Sequence, residues 1–269
     1  MINYDELAKK YTALGIEIPK KEMIKTEEQI KGIREAGVVN TAILDYIKDF
    51  IKPGITTEEI NTLVHNKTIE LGGIPAPLGY EGFPKSVCTS INDEVCHGIP
   101  SNDRILAEGD IINVDVTTIY NGYYADASRT FLVGKCSNEA SRLVRVCKEC
   151  LDLAVKELKP FSRLRDIGYV IEKHAKKNGY TVVHEIGGHG VGVDFHEDPF
   201  IYHFGRKNTG MVLFPGMVFT IEPMINEYSR HVFLDADNEW TIYTDDGGLS
   251  AQFEYTVLLT EDGVEILSH

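Results

Sequence analysis

The sequence predicts an α+β fold made of a duplicated unit. Three observations carry that expectation. A helix, a Lys-Pro break and a second helix occur twice; strands that each carry one acid follow both times; and a single offset of 107 residues relates the two copies.

Residues 1–25 form a polar, Lys-rich lead-in, read as a short helix and a linker. Thr26 with Gln29 offers a capping box for the first long helix. In "TEEQIKGIREAGVVNTAILDYIKDFI" the residues Ile30, Ile33, Val38, Ile43, Ile47 and Ile51 recur at roughly helical spacing. Lys52-Pro53-Gly54 ends that helix, and Thr56 or Thr57 opens a second that closes near Gly72-Gly73. The plan returns in "CLDLAVKELKPFSRLRDIGYVIEKHAKKNGY". Lys52-Pro53 matches Lys159-Pro160, Ile60 matches Ile167, Val64 matches Ile171 and Gly72 matches Gly179, all at 107. Beyond the helices Gly109 matches Gly216 and Asp115 matches Glu222, so an acid belongs to the repeat. Each half closes with a second acid-bearing strand, "YYADASRTFLVG" with Asp126 and "AQFEYTVLLT" with Glu254. Asp115 and Asp126 are 11 residues apart, Glu222 and Glu254 are 32, so the second hairpin carries 21 extra residues around Trp240.

A carboxylate in an apolar strand is destabilising unless something pairs with it. Asn121-Gly122 signals a two-residue hairpin turn, which sets Tyr120 opposite Tyr123 and Thr117 opposite Asp126. Side chains alternate along a strand, so Asp115 and Asp126 share a face as diagonal neighbours, about 7–8 Å apart at the backbone. Glu222 and Glu254 are expected in the mirrored position. Four acids around one centre repel unless cations neutralise them, and oxygen-rich ligation of two ions is a known solution. In "EIGGHGVGVDFHEDP", His189 between glycines suits a ligand on a strand, with His196 close by. His184-Glu185 and His189 imitate a zinc-protease helix, but the spacing is one residue too long and Gly187-Gly188 oppose a helix. His97 lies in a polar loop after an apolar run. His65, His174, His184, His203, His231 and His269 receive no role.

A net charge of −14 argues against nucleic acid or an anionic membrane as the main partner. No apolar stretch approaches the length of a membrane span, and "MINYDELAKKYTALG" lacks an apolar signal core, so a cytoplasmic location is expected. Five cysteines, an odd count, suit a reducing compartment better than a disulfide framework. Cys147 and Cys150 read as two thiols on a helix face.

Taken in order, "NVDVT", "ADASRTF", "GGHGVG", "FTIEPM" and "AQFEYT" resemble the type I methionine aminopeptidases, of the pita-bread fold. "GYEGFPKSVCTSINDEVCHGIP" matches that family's first-half loop as well, and the resemblance spans about residues 26–267. It implies one pita-bread catalytic domain over 26–269, with halves of about 26–136 and 137–269, behind an N-terminal extension of residues 1–25. It also implies that Asp115, Asp126, His189, Glu222 and Glu254 ligate two divalent metal ions (Mn, Fe, Co or Zn), with Asp126 and Glu254 bridging and a bridging water attacking the carbonyl after the first residue. Glu222 would also handle protons, His97 would hydrogen-bond near the scissile amide, and His196 would polarise the carbonyl oxygen. Pro77, Tyr80, Phe83, Phe195 and Trp240, with His97 and His196, would line the pocket for the methionine side chain. Asn92 and Ser250 would lie near an auxiliary monovalent cation. The implied partner is the N-terminal peptide of nascent proteins, met transiently at the ribosome by a monomer, and the implied reaction is removal of initiator methionine before a small second residue.

Two positions depart from the family pattern. Pro77 stands where many bacterial members carry a cysteine, and Phe83 where many carry a tyrosine. A proline-specific peptidase of the same fold would usually carry a large N-terminal domain, where 25 residues stand here. A type II enzyme would need a helical insertion between His189 and Glu222, which are 33 residues apart. A non-catalytic binding protein of this fold would have lost ligands, and all five are present.

Overall fold

Thr26 starts the first long helix as the capping box requires: its hydroxyl accepts the Gln29 amide N–H while the Gln29 side chain accepts the Thr26 N–H. In this computed structural model, which describes residues 2–269, the helix is α2 (Glu27–Ile47), preceded by α1 (Tyr4–Ala13). The helix α3 (Thr57–Glu70) follows, then β1 (Ile74–Pro75), β2 (Cys88–Ile91), β3 (Glu94–Cys96), β4 (Ile111–Tyr120) and β5 (Tyr123–Leu132). The second half contains α4 (Asn138–Glu157), α5 (Leu164–Lys177), β6 (Thr181–Val182), β7 (Gly188–Gly190), β8 (Glu197–Ile201), β9 (Val218–Ile221) and β10 (Met224–Asn226). It ends with β11 (Val232–Leu234), β12 (Ile242–Thr244), β13 (Ser250–Gln252), β14 (Tyr255–Leu259) and β15 (Val264–Ser268).

The 107-residue offset is written into the backbone. α3 and α5 begin and end at matching positions. The isolated bridge Thr56↔Ile105 has its counterpart in Arg163↔Val212. Gly54, Gly72 and Gly109 have positive φ, and so do their counterparts Phe161, Gly179 and Gly216. The duplicated helices cover one face of the sheets. The first-half core gathers Ile43, Leu44 and Ile47 of α2, Ile60 and Val64 of α3, and Ile112 and Val114 of β4. The second gathers Val146, Cys147 and Leu151 of α4, Ile167 and Ile171 of α5, and Phe219 and Ile221 of β9. Burying each large aliphatic side chain contributes roughly 1.5–3 kcal/mol.

The α2 stripe departs from expectation at two places. Val38 is 66% exposed, because Ile33, Ala36, Gly37 and Asn40 occupy the core-facing side at its level. Ile51 lies beyond the helix, after a 3₁₀ turn at Lys48–Phe50. At Gly37 a Cβ would stand 2.0 Å from the Leu267 carbonyl, so glycine is what lets α2 lie against β15. Asn40, fully buried, donates to Val116 O and Ser268 Oγ and accepts from Thr118 Oγ1, tying α2 to both β4 and β15.

The β4–β5 ribbon is continuous over ten pairs from Tyr120↔Tyr123 to Ile111↔Leu132, with Thr117 opposite Asp126. Its turn has Asn121 at φ 50° and Gly122 at φ 83°, the left-handed pair that such a hairpin needs. The second-half ribbon is broken instead. β9–β14 pairing ends at Ile221↔Tyr255, and β10–β13 pairing starts at Met224↔Gln252. Glu222-Pro223 and Phe253-Glu254 occupy the gap, where Pro223 has no N–H to offer a ladder. Glu254 donates its N–H to Ser128 O of β5 instead, at 3.0 Å, so the halves are stitched together at an acid.

The extra residues of the second hairpin form β11 and β12, and β12 pairs across to β3 of the first half. The lead-in lies against the second half. Tyr4 and Tyr11 pack on the buried Phe214 with ring centroids 6.1 and 5.7 Å apart, and Glu17 O accepts the Val212 N–H. Among the described residues no helix is long and apolar enough to cross a membrane.

Candidate active site

The strand pattern brings the acids to the floor of one cavity of about 640 Å³. β4 contributes Asp115, β5 Asp126, β7 His189, and the broken ribbon Glu222 and Glu254. All five line the cavity, with Pro77, Tyr80, Phe83, His97, Phe195, His196 and Trp240 as its walls. Ligand atoms of Asp126, His189 and Glu254 lie within 4.8 Å of one another. His189 Nε2 stands 3.7 Å from both Asp126 Oδ2 and Glu222 Oε1.

Electrostatics make this arrangement unfavourable on its own. Burial, the largest cause, pushes Asp115 up to about 7 and Glu222 up to about 8. Burial and then the neighbouring acids hold Asp126 and Glu254 well above the carboxylate range. Burial pushes His189 down to about 3 and His97 down to about 4. His189 is therefore neutral at pH 7, and its approaches to Asp126 and Glu222 are not ion pairs. Asp115 Oδ1 and Glu254 Oε1 are buried without a hydrogen-bond partner. Four carboxyls, one neutral imidazole and two orphaned oxygens facing a cavity make a hard-oxygen donor set that fits divalent cations.

Several supporting groups are legible from alternation alone. Thr117 donates to Asp126 Oδ1 at 2.8 Å. Thr220, two residues before Glu222, donates to its Oε1 at 2.7 Å and accepts the His189 N–H. Gln252, two before Glu254, donates to Glu222 Oε2 at 3.2 Å. His203, given no role by the sequence, is buried and accepts the Glu222 N–H on Nε2 at 3.1 Å. Nothing in its local sequence signals this. Cys88 also lines the cavity, opposite Asp115 in register, and burial raises its thiol well above the usual range, so it stays a thiol.

The aromatic wall is interlocked. Phe83 meets Trp240 edge-on at 5.1 Å between centroids, and Phe195 stacks on His196 at 4.3 Å. His196 Nδ1 is 2.8 Å from the Tyr80 hydroxyl. Burial lowers the His196 pKa while Glu81 opposes the shift. His97 sits at φ 57°, and the next residue, Gly98, approaches so closely that a Cβ there would stand 2.0 Å from Thr89 O. Away from the cavity, Asn92 O accepts the Ser250 N–H at 2.8 Å, and Ser250 Oγ is buried without a partner. Asn226, opposite Ser250 in register, likewise has an unpartnered buried Oδ1.

Residues 31–261 match the model of metallopeptidase family M24. The chain belongs to metallopeptidase family M24. Within M24 it groups with methionine aminopeptidases. It is 51% identical over 243 residues to methionine aminopeptidase A of Synechocystis sp., covering 90% of this chain and 96% of that one. The crystal structure of methionine aminopeptidase from Rickettsia prowazekii superposes with a TM-score of 0.90 at 46% identity, covering 91% of this chain and 99% of that one. An X-Pro aminopeptidase from Thermotoga maritima shares the fold at a TM-score of 0.72 and 26% identity, but the chain covers only 62% of it. These M24 neighbours bear out the pita-bread architecture expected from the sequence.

Proposed function

We propose that this M24 enzyme removes the initiator methionine from new polypeptides whose second residue is small, using two divalent ions held by Asp115, Asp126, His189, Glu222 and Glu254. The observation that carries the reading is the set of buried, partly orphaned carboxyls at the floor of an aromatic-walled cavity. When bound, the ions supply a water acidic enough to attack a carbonyl and positive charge for the developing oxyanion. The chain's own residues do the rest. Phe83, Phe195 and Trp240, with Pro77 and Tyr80, form soft walls suited to a thioether. With the Tyr80 hydroxyl donating to Nδ1, His196 carries its proton on Nε2, the donor a tetrahedral oxyanion needs. His97 is held neutral and hydrogen-bonds the scissile amide. Glu222 also takes and returns a proton. Mn, Fe(II), Co and Zn all suit such a donor set. Asn92 and Ser250 are read as the place of a monovalent cation, with Asn226 Oδ1 as a further donor. Residues 26–269 act as one catalytic domain behind the extension of residues 1–25, of which the described part, 2–25, packs on it. In this reading the protein meets nascent chains transiently at the ribosome and works as a cytoplasmic monomer.

The test is hydrolysis of Met-Ala-Ser, Leu-Ala-Ser and Ala-Pro-Ser by metal-stripped protein, then after Mn²⁺ or Co²⁺ is restored. The expected result is metal-restored release of methionine from the first peptide alone. Preference for Ala-Pro-Ser would move the chain to the proline-specific branch of M24. No cleavage of any peptide by metal-loaded protein would overturn the enzymatic reading.

A further inference from the structure

The loop between β7 and β8 carries Phe195 and His196, and one half-buried carboxylate ties it down. Glu197, the residue after His196, accepts the Val193 and Asp194 N–H groups on Oε1 at 2.8 and 3.1 Å. Its Oε2 faces the Lys25 ammonium, and the two side chains are 15% and 2% exposed. Lys25 lies in the lead-in and cannot drift: its N–H donates to Gly216 O at 2.9 Å, and Ile24 bridges to Met217. The other end of the loop is fixed by Tyr124 N–H donating to Gly192 O. Lys20 adds an ion pair to Asp198, but both groups are mostly exposed and contribute little.

We propose that Lys25 is a positioning residue: through Glu197 it locks the loop that places His196 beside His189, where their ring centroids are 4.3 Å apart. Removing one member of a buried ion pair leaves the other uncompensated. Without Lys25 the Glu197 carboxylate turns toward solvent, releases the Val193 and Asp194 amides, and takes the His196 ring out of register. The extension is thus coupled to the reaction without touching substrate. This rests on the reading of His196 as a group that stabilises the transition state.

The experiment compares wild type, K25M, K25R, H196A and K25M/H196A, all metal-loaded, on Met-Ala-Ser. Lys25→Met should lower kcat about tenfold with a smaller rise in KM, since Phe195 on the same loop lines the pocket, and should speed amide exchange at Val193 and Asp194. Lys25→Arg should restore most of the rate. In the H196A background the Lys25→Met loss should fall below about twofold, because the positioned group is gone. Folded K25M with wild-type kcat, or a loss that multiplies fully with that of H196A, would overturn the proposal. Full activity of H196A alone would instead remove the reading of His196. If K25M does not fold, Glu197→Ala carries the same comparison, since it removes both the acceptor of the Val193 and Asp194 amides and the partner of Lys25.

Discussion

Loading the carboxylate cluster with divalent ions should expel protons, in numbers that depend on pH. At pH 6 the metal-free site holds Asp115 and Glu222 protonated, because burial lifts them to about 7 and about 8; burial and the neighbouring acids raise Asp126 and Glu254 as well. His189, lowered to about 3, is already neutral and gives up nothing. Ligation requires the ionised carboxylates, so loading at pH 6 should release at least about two protons, from Asp115 and Glu222. Each released proton changes affinity about tenfold, or 1.4 kcal/mol, per pH unit. The free energy of full loading should therefore strengthen by at least roughly 2–3 kcal/mol between pH 6 and 7, and less steeply above 8, where Asp115 and part of Glu222 have already ionised. Calorimetric titration with Mn²⁺ in buffers of different ionisation enthalpy counts the protons directly. Release of fewer than one at pH 6 would mean the acids are ionised in the free protein, and the account of their mutual burial would fail. The same shifts set the stability of the metal-free protein. Acids whose folded pKa lies above the unfolded value keep more protons folded than unfolded between about pH 4 and 8. Below about pH 6.5 the buried His97, His189 and His203, whose pKa values are lowered, oppose that effect; stability without metal should thus fall as pH rises between about 6.5 and 8, while the loaded protein should lack this decline.

Three further outcomes follow from the geometry. Asp126→Asn or Glu254→Gln should abolish turnover while leaving circular dichroism unchanged and the metal-free melting temperature no lower, since each puts a neutral group of the same shape where burial disfavours a charge; full activity with metal bound as before would take the residue out of the centre. His196→Ala should lower kcat more than it raises KM, and steady-state kinetics showing the reverse would make it a binding residue. Asn40→Leu should destabilise the protein by roughly 2–4 kcal/mol in urea unfolding, because Thr118 Oγ1, Val116 O and Ser268 Oγ each lose a buried partner; a loss below about 0.5 kcal/mol would mean that water replaces the amide.

Local rules made much of the site legible. The Asn121-Gly122 turn fixed the register, so Thr117 could be placed opposite Asp126 by counting, and the repeat carried Asp115 onto Glu222. The second half resisted counting because Pro223 interrupts the ladder at the acids. No periodicity reports where a broken strand sends its N–H, and Glu254 sends it to Ser128 in the other half. Contacts between distant segments left no trace at all. Lys25 and Glu197 are 172 positions apart, and the His203 ring reaches the backbone of Glu222 from the end of a neighbouring strand. Val38 shows the opposite failure: it fits the apolar spacing, yet at its level the side of α2 that meets the sheet is taken by Ile33, Ala36, Gly37 and Asn40.

The seam at Glu254 and Ser128 bears on how such a protein could arise. One repeat supplies Asp115 and Asp126, the other His189, Glu222 and Glu254, and neither set surrounds an ion by itself. A single ancestral repeat would have had to meet a second copy of itself, two acids from each, across a twofold axis. Fusing the copies into one chain freed them to diverge. One kept an unbroken ribbon, while the other took on an imidazole, a break and a long hairpin that became a wall of the pocket.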